Sequence, residues 1–282
     1  MLKQRLIKVY QLRNFISKLE SLYFVKDIEI KGESNLVEAT KESFHSNQLI
    51  NYGATTLDRI LNERVIDKIV SKTRKMKLFD PFNKENSNFY INNIPMNSHV
   101  ANFYRKDLLH ISEIMNIAND PGILRIVRMF LGATPTISNV NMWWSFADRG
   151  KPKDSQLFHR DVDDIKFCKL FIYMNDVTEF EGPHVYVKES ANSNKLTKIK
   201  RYDDKEIINA FGNQNIISFT GNKGSCFLVN TYGFHKGLLP VKNNRLLLQI
   251  QYSINRIGVE NYCPQKITNL NYDKYINRLL IK

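Results

Sequence analysis

Six histidines occur in the chain, and two of them stand in company that suggests metal chemistry. His159, Arg160 and Asp161 set an imidazole and a carboxylate two residues apart. On an extended strand that spacing turns both side chains to one face, about 7 Å apart along the chain. His235 ends the run that starts at Phe227 and enters a turn before Leu238, Leu239 and Pro240. Two histidines and one aspartate on adjacent strands cap one face of an octahedral metal and leave three positions open, the facial triad of non-haem Fe(II) oxygenases. An open site of this kind needs a co-substrate anion, and an arginine clamps a carboxylate through two parallel N–H bonds. Arg245 opens the apolar strand Leu246–Tyr252 and suits that role if its strand neighbours the one leading to His235.

The residues around this set read more plainly. A histidine and an aspartate at this spacing are weak evidence alone, because most histidines are surface groups or satisfied core residues. Arg160, between the two ligand candidates, points away from them by strand alternation. The same alternation sends one ring of Trp143 and Trp144 to the core and the other to a pocket wall. His184, after Gly182 and Pro183, reads as a structural residue or part of a pocket rim. The basic stretch Lys195–Lys205 reads as a solvated loop in preference to a lid.

The elements that position these groups are short β-rich runs: Thr136–Phe146, Lys166–Val177, Val185–Lys188, Ile216–Thr220, Ser225–Asn230 and Arg245–Ile254. Gly, Asn, Asp and Pro separate them at the spacing of a jelly roll. One polar insert, Ser190–Asn215, interrupts them and carries a short helix over Asp203–Phe211 stopped by Gly212. The first half is helical and irregular. A capping-box pattern at Thr55–Asp58 predicts an amphipathic helix bearing Leu57, Ile60, Leu61, Val65 and Ile69. Leu78–Tyr104, rich in Asn, predicts irregular chain, and Asp107–Ala118 a second helix. Asp120 and Pro121 predict a capped start, and Gly132 a stop, for a third. The fold class that follows is α+β, with a jelly-roll core flanked by N-terminal helices. The expected organisation is one domain over 1–282: flank 1–133, core 134–256 with insert 190–215, and tail 257–282.

Length and composition bound the rest. The 282 residues are 43% apolar and 24% charged, an ordinary globular balance that excludes disordered and fibrous classes. No apolar run is long enough to span a membrane, and the N-terminal stretch lacks the apolar centre of a secretory signal. Cys168, Cys226 and Cys263 are few, odd in number and widely spaced, which fits a reduced cytoplasmic setting and no disulfide framework. The net charge of +13 is spread over four separate segments without a nucleic-acid-binding signature, so nucleic acid is disfavoured as a partner. The charge slightly favours an anionic substrate, and the oligomeric state is left open.

From Thr136 to Ile254 the chain resembles the phytanoyl-CoA dioxygenase-like family of Fe(II)/2-oxoglutarate-dependent oxygenases. The match is carried by Phe158–Asp161, by Leu170–Pro183 with its Asp176, Val177, Thr178 and Gly182 turn, by Gly224–Phe227, and by Gly233–Gly237 followed by Arg245. The resemblance implies a double-stranded β-helix, with iron on His159, Asp161 and His235 and the distal carboxylate of 2-oxoglutarate on Arg245. It implies a polar partner for the metal-side carboxylate, for which Asn141, Gln156 and Tyr173 are candidates. It also implies O2 as co-substrate, release of succinate and CO2, and hydroxylation of an unactivated C–H bond in a small molecule. Asp161 favours that outcome over halogenation, where family members carry Ala or Gly. Two positions depart from the family: Lys188–Ala191 replaces a Pro-Gly-Ser-His loop, and Gly237 stands where a Ser or Thr often assists the arginine. A metal-holding barrel without turnover, and a nucleic-acid demethylase of the same superfamily, are the alternatives. Arg245 argues against the first. Gln251, at the place of a second arginine in the demethylases, argues against the other.

Overall fold

Strand alternation organises the whole β core. The computed structural model describes residues 7–23, 26–152, 154–267 and 271–282, so the first six residues of the basic N-terminal stretch lie outside it. Ten strands are described: β1 (Ala54–Thr56), β2 (Leu78–Phe79), β3 (Val100–Phe103), β4 (Thr136–Ser145), β5 (Phe167–Tyr173), β6 (His184–Val187), β7 (Ile216–Phe219), β8 (Cys226–Val229), β9 (His235–Gly237) and β10 (Arg245–Ser253). They form a seven-stranded sheet in the order β1-β8-β5-β10-β4-β3-β2 and a three-stranded sheet in the order β7-β6-β9. Every strand pairing is antiparallel. The two sheets face each other as a jelly roll, the double-stranded β-helix expected from the sequence.

All nine residues of β10 are buried, because both faces of its sheet are covered. Leu246, Leu248, Ile250 and Tyr252 join Leu170 and Ile172 of β5 and Val140 and Met142 of β4 in a core shared with the helices. The alternate residues, Leu247, Phe171, Tyr173 and Phe227, pack against Tyr186 and Phe219 of the smaller sheet. On β6, Val185 and Val187 turn outward to Phe158, Tyr202, Ile207 and Phe234 beneath the insert.

The helical side consists of α1 (Tyr10–Tyr23), α2 (Glu42–Asn51), α3 (Glu63–Thr73), α4 (Arg105–Leu108), α5 (Ser112–Ala118) and α6 (Pro121–Leu131), and α7 (Asp204–Phe211) lies in the insert. The signals for α6 and α7 act as expected. Asp120 accepts from Gly122 and Ile123 N–H groups, and Gly132 closes α6 at φ 74°, a left-handed conformation that suits glycine. Asp203 and Glu206 form a reciprocal capping box for α7.

Three expectations are corrected. Thr55 starts no helix: Ala54–Thr56 pairs with β8, and α3 begins only after Asn62, whose side chain accepts from Arg64 N–H. Ile60 is accordingly 57% exposed, and Asp58 instead accepts from His45 and the Glu38 N–H. Edge pairing outweighed the local capping pattern. The segment Asp107–Ala118 breaks into α4 and α5, and the stretch Leu78–Tyr104 contains β2 and β3. Among the described residues no helix is long and apolar enough to cross a membrane.

Candidate metal centre

The short strand β9 and the segment before β5 bring the two histidines together. Phe158 bridges to Tyr202 and His159 to His235. His159 and His235 exchange backbone hydrogen bonds of 3.0 and 3.1 Å, and Asp161 N–H donates to Thr231 C=O at 2.9 Å. The imidazole centroids lie 4.2 Å apart. Each ring then uses its Nδ1 in the same way: His159 on Leu157 C=O at 2.9 Å, His235 on Gly233 C=O at 3.0 Å. A carbonyl oxygen only accepts, so both Nδ1 atoms carry the proton and both Nε2 lone pairs are free. The two Nε2 atoms stand 3.7 and 3.4 Å from Asp161 oxygens. All three ligand atoms lie within 4.8 Å of one another, which suits a single cation.

The electrostatics agree with a cation site. Burial, then the neighbouring His235, pushes the His159 pKa down to about 3, so the ring is a neutral donor at physiological pH. Burial alone would raise the Asp161 carboxyl, but the Lys169 ammonium beside it holds it well below the usual carboxylate range. Lys169 is one of the groups sequence reasoning missed. Its Nζ reaches Asp161 Oδ2 at 2.6 Å and Asp163 Oδ2 at 3.2 Å, with the side chain 10% exposed. Burial opposes its charge, yet the two carboxylates outweigh it and its pKa rises.

A cavity of about 260 Å³ runs from these ligands to Arg245. Arg245 begins β10, whose neighbours are β4 and β5, so its strand does not adjoin the one leading to His235. The guanidinium instead crosses between the sheets. Nη1 donates to Gly182 C=O and Nη2 to Ser145 Oγ at 3.1 Å, while Nε has no partner among the described residues. Ser145 on β4 thus supplies the hydroxyl that position 237 lacks. A Cβ at Gly237 would lie 3.0 Å from Arg245 Nη2, so a larger residue there would press on the guanidinium. Gly182 sits at φ 73°, and a Cβ on it would strike Leu238 C=O at 2.3 Å.

The remaining sequence candidates divide. Asn141 and Gln156 line the cavity. Tyr173 does not: its hydroxyl donates to Phe219 C=O at 2.7 Å and accepts from His184 N–H at 3.0 Å, which makes it a strut below the floor. Trp143 lines the cavity while Trp144 packs against the helix-side core. Arg160 points away, as alternation required, and donates to Ser190, Tyr232 and Lys195 carbonyls. His184 is part of the wall itself, although its ring nitrogens stand outside the three-residue ligand cluster. Ser145, Lys169, Gln249 and Asn102 also reach the cavity. Their signal was strand parity: Lys169 shares the inward face with Phe171, and Gln249 with Arg245 and Leu247.

This donor set fits a divalent metal with an oxygen-donor anion beside it. Two fixed imidazole lone pairs and a carboxylate held ionised can ligate, and a buried arginine with an unpartnered Nε can hold a carboxylate. No protein-family model and no curated protein matches the chain. Solved structures do match in fold. The chain is similar to the non-heme alpha-ketoglutarate-dependent carbocyclase SnoK from nogalamycin biosynthesis, at 13% identity and TM-score 0.57, covering 82% of this chain and 92% of SnoK. It is similar to HygX from Streptomyces hygroscopicus, solved with nickel, 2-oxoglutarate and hygromycin B, at 12% identity and TM-score 0.56, over 83% of this chain and 96% of HygX. It is also similar to EctD from S. alaskensis, solved with bound Fe, at 11% identity and TM-score 0.55, over 90% and 91% of the two chains.

Proposed function

We propose that this chain is an Fe(II)/2-oxoglutarate-dependent dioxygenase that hydroxylates an unactivated C–H bond of a small molecule. The observation that carries the proposal is the convergence of His159, Asp161 and His235 at one part of a cavity that also holds Arg245. A structural metal site has no use for that arginine. Kinship with phytanoyl-CoA dioxygenase-like enzymes is the finer form of the proposal, supported by the motif set around His159, Gly182 and Arg245. The unit of function is taken as the whole chain, and its three free cysteines suit a reduced cytoplasmic setting.

His159, Asp161 and His235 would hold the iron, and Arg245 with Ser145 the distal carboxylate of 2-oxoglutarate. Asn141 and Gln156 remain the candidates for the metal-side carboxylate. When bound, the iron and 2-oxoglutarate supply the oxidising chemistry, with O2 consumed and succinate and CO2 released. The protein's own residues bind and orient. Nδ1–H bonds to Leu157 and Gly233 fix the ring planes, Lys169 keeps Asp161 ionised, and Trp143, Phe171 and Leu247 exclude water from the cavity. The cations among the described lining residues are Arg245 and Lys169, one placed for the co-substrate and the other paired. The amides of Asn102 and Gln249 therefore favour an uncharged hydrogen-bonding group in the cavity. An anionic substrate is the reading the net charge favours.

Succinate release from 2-oxoglutarate, measured with Fe(II) and O2 against a metabolite panel, tests the proposal. Turnover should stop in Asp161→Ala. Succinate release that is equal in wild type and variant would refute it.

A further inference from the structure

His184 stands at a place where a buried polar atom calls for a partner. The residue is 4% exposed, and its Nε2 has no hydrogen-bond partner among the described residues. Its backbone is fixed by two ties: the N–H donates to Tyr173 Oη, and His184 pairs with Gly237 across β6 and β9. The ring is boxed by Phe171 at 4.7 Å, Phe227 at 5.6 Å and His235 at 5.5 Å. A purely apolar box would be better filled by an apolar side chain, since an unsatisfied buried nitrogen is costly. What the box does share is the co-substrate cavity. Gly237, opposite His184, is the residue over which Arg245 lies, and Gly182, two positions before it, accepts from Arg245.

We infer that His184 is a co-substrate-binding residue: its Nε2–H donates to the dicarboxylate alongside Arg245 and Ser145. This rests on the functional reading above and adds a recognition point that faces the ligand from the smaller sheet. It makes His184 a determinant of selectivity for an anion that extends from Arg245 towards the metal, while leaving metal affinity to the triad.

The test is calorimetric titration of 2-oxoglutarate into the Ni(II)-loaded full chain, as wild type, His184→Leu and His184→Gln, alongside Ni(II) affinity and melting temperature of the metal-free proteins. His184→Leu should weaken 2-oxoglutarate about 10- to 100-fold, the weight of a hydrogen bond to a charged group. Its Ni(II) affinity should be unchanged and its metal-free melting temperature no lower than wild type. His184→Gln, which keeps an N–H donor, should fall between the two. Wild-type affinity in His184→Leu, or in a destabilised His184→Leu that melts early, would overturn the inference alone. If His184→Leu does not fold, a His184→Gln affinity weaker than wild type by up to about tenfold, with Ni(II) affinity unchanged, supports it, and one equal to wild type overturns it. A wild-type protein that binds Ni(II) but no 2-oxoglutarate would overturn the functional reading and this inference together.

Discussion

Lys169→Met removes the cation that stands between two half-buried carboxylates. Lys169 lies in β5, a strand whose seven residues are all buried, and its side chain is 10% exposed. At an effective dielectric near 20, its gross attraction is about 6 kcal/mol to Asp161 at 2.6 Å and about 5 kcal/mol to Asp163 at 3.2 Å. Most of that offsets desolvation, and breaking such a pair costs about 3–5 kcal/mol net. In a chain of this size that lowers the melting temperature by roughly 5–8 °C. The sign with pH is also set. In wild type the depressed Asp161 adds stability that is present above the ordinary carboxylate range and lost on acidification. Without Lys169 both carboxyls are raised by burial and mutual repulsion, so the variant should gain stability between pH 7 and pH 5. A divalent ion restores the missing charge, so Ni(II) should raise the melting temperature of Lys169→Met more than that of wild type. Urea unfolding of the metal-free proteins at both pH values, with and without Ni(II), measures each part. A variant within about 1 kcal/mol of wild type at pH 7, below the range for a broken buried pair, would refute this account of the lysine.

Other substitutions read other parts of the fold. Gly237→Ser, which adds the hydroxyl common in the resembling family, should weaken 2-oxoglutarate about tenfold by crowding Arg245, as isothermal titration would show. Arg160→Met strips donors from the Ser190, Tyr232 and Lys195 carbonyls and should cost roughly 2–4 kcal/mol. Limited proteolysis should then cut first within Ser190–Asn215. Burial raises Asp164 to about 6, although Ile165, Ile254 and Asn255 donate to it. Its protonated form is favoured in the fold, so stability is lost as pH rises from about 4 through 6, by roughly 3 kcal/mol in all. Asp164→Asn should flatten that slope in urea unfolding at pH 4 and pH 7.

The long strands were legible because β5 and β10 are largely apolar and β4 mixes β-branched, aromatic and polar residues between turn signals, and the caps of α6 and α7 are local chemistry. The three-residue strands β1 and β9 were not, since their residues carry too little pattern and are held by pairing to distant partners. His159, Asp161, His235 and Arg245 stood out by type and spacing. Ser145 did not, and His184 was read only as a structural or rim residue, because what gives them meaning is the approach of two sheets that no local pattern records. Tyr173 shows the converse: its position on an inward face was right, and only the Phe219 carbonyl at 2.7 Å shows that its hydroxyl is already engaged.

The central claim is that one cavity holds iron on His159, Asp161 and His235 and 2-oxoglutarate on Arg245. Anaerobic addition of Fe(II) and then 2-oxoglutarate to the full chain tests it most directly, through the weak visible charge-transfer absorption of a 2-oxoglutarate chelate. Wild type should develop the band at one equivalent of iron per chain, His159→Ala should lack it, and Arg245→Ala should need far more 2-oxoglutarate to reach it. No band in wild type, or an undiminished band in His159→Ala, would contradict the account.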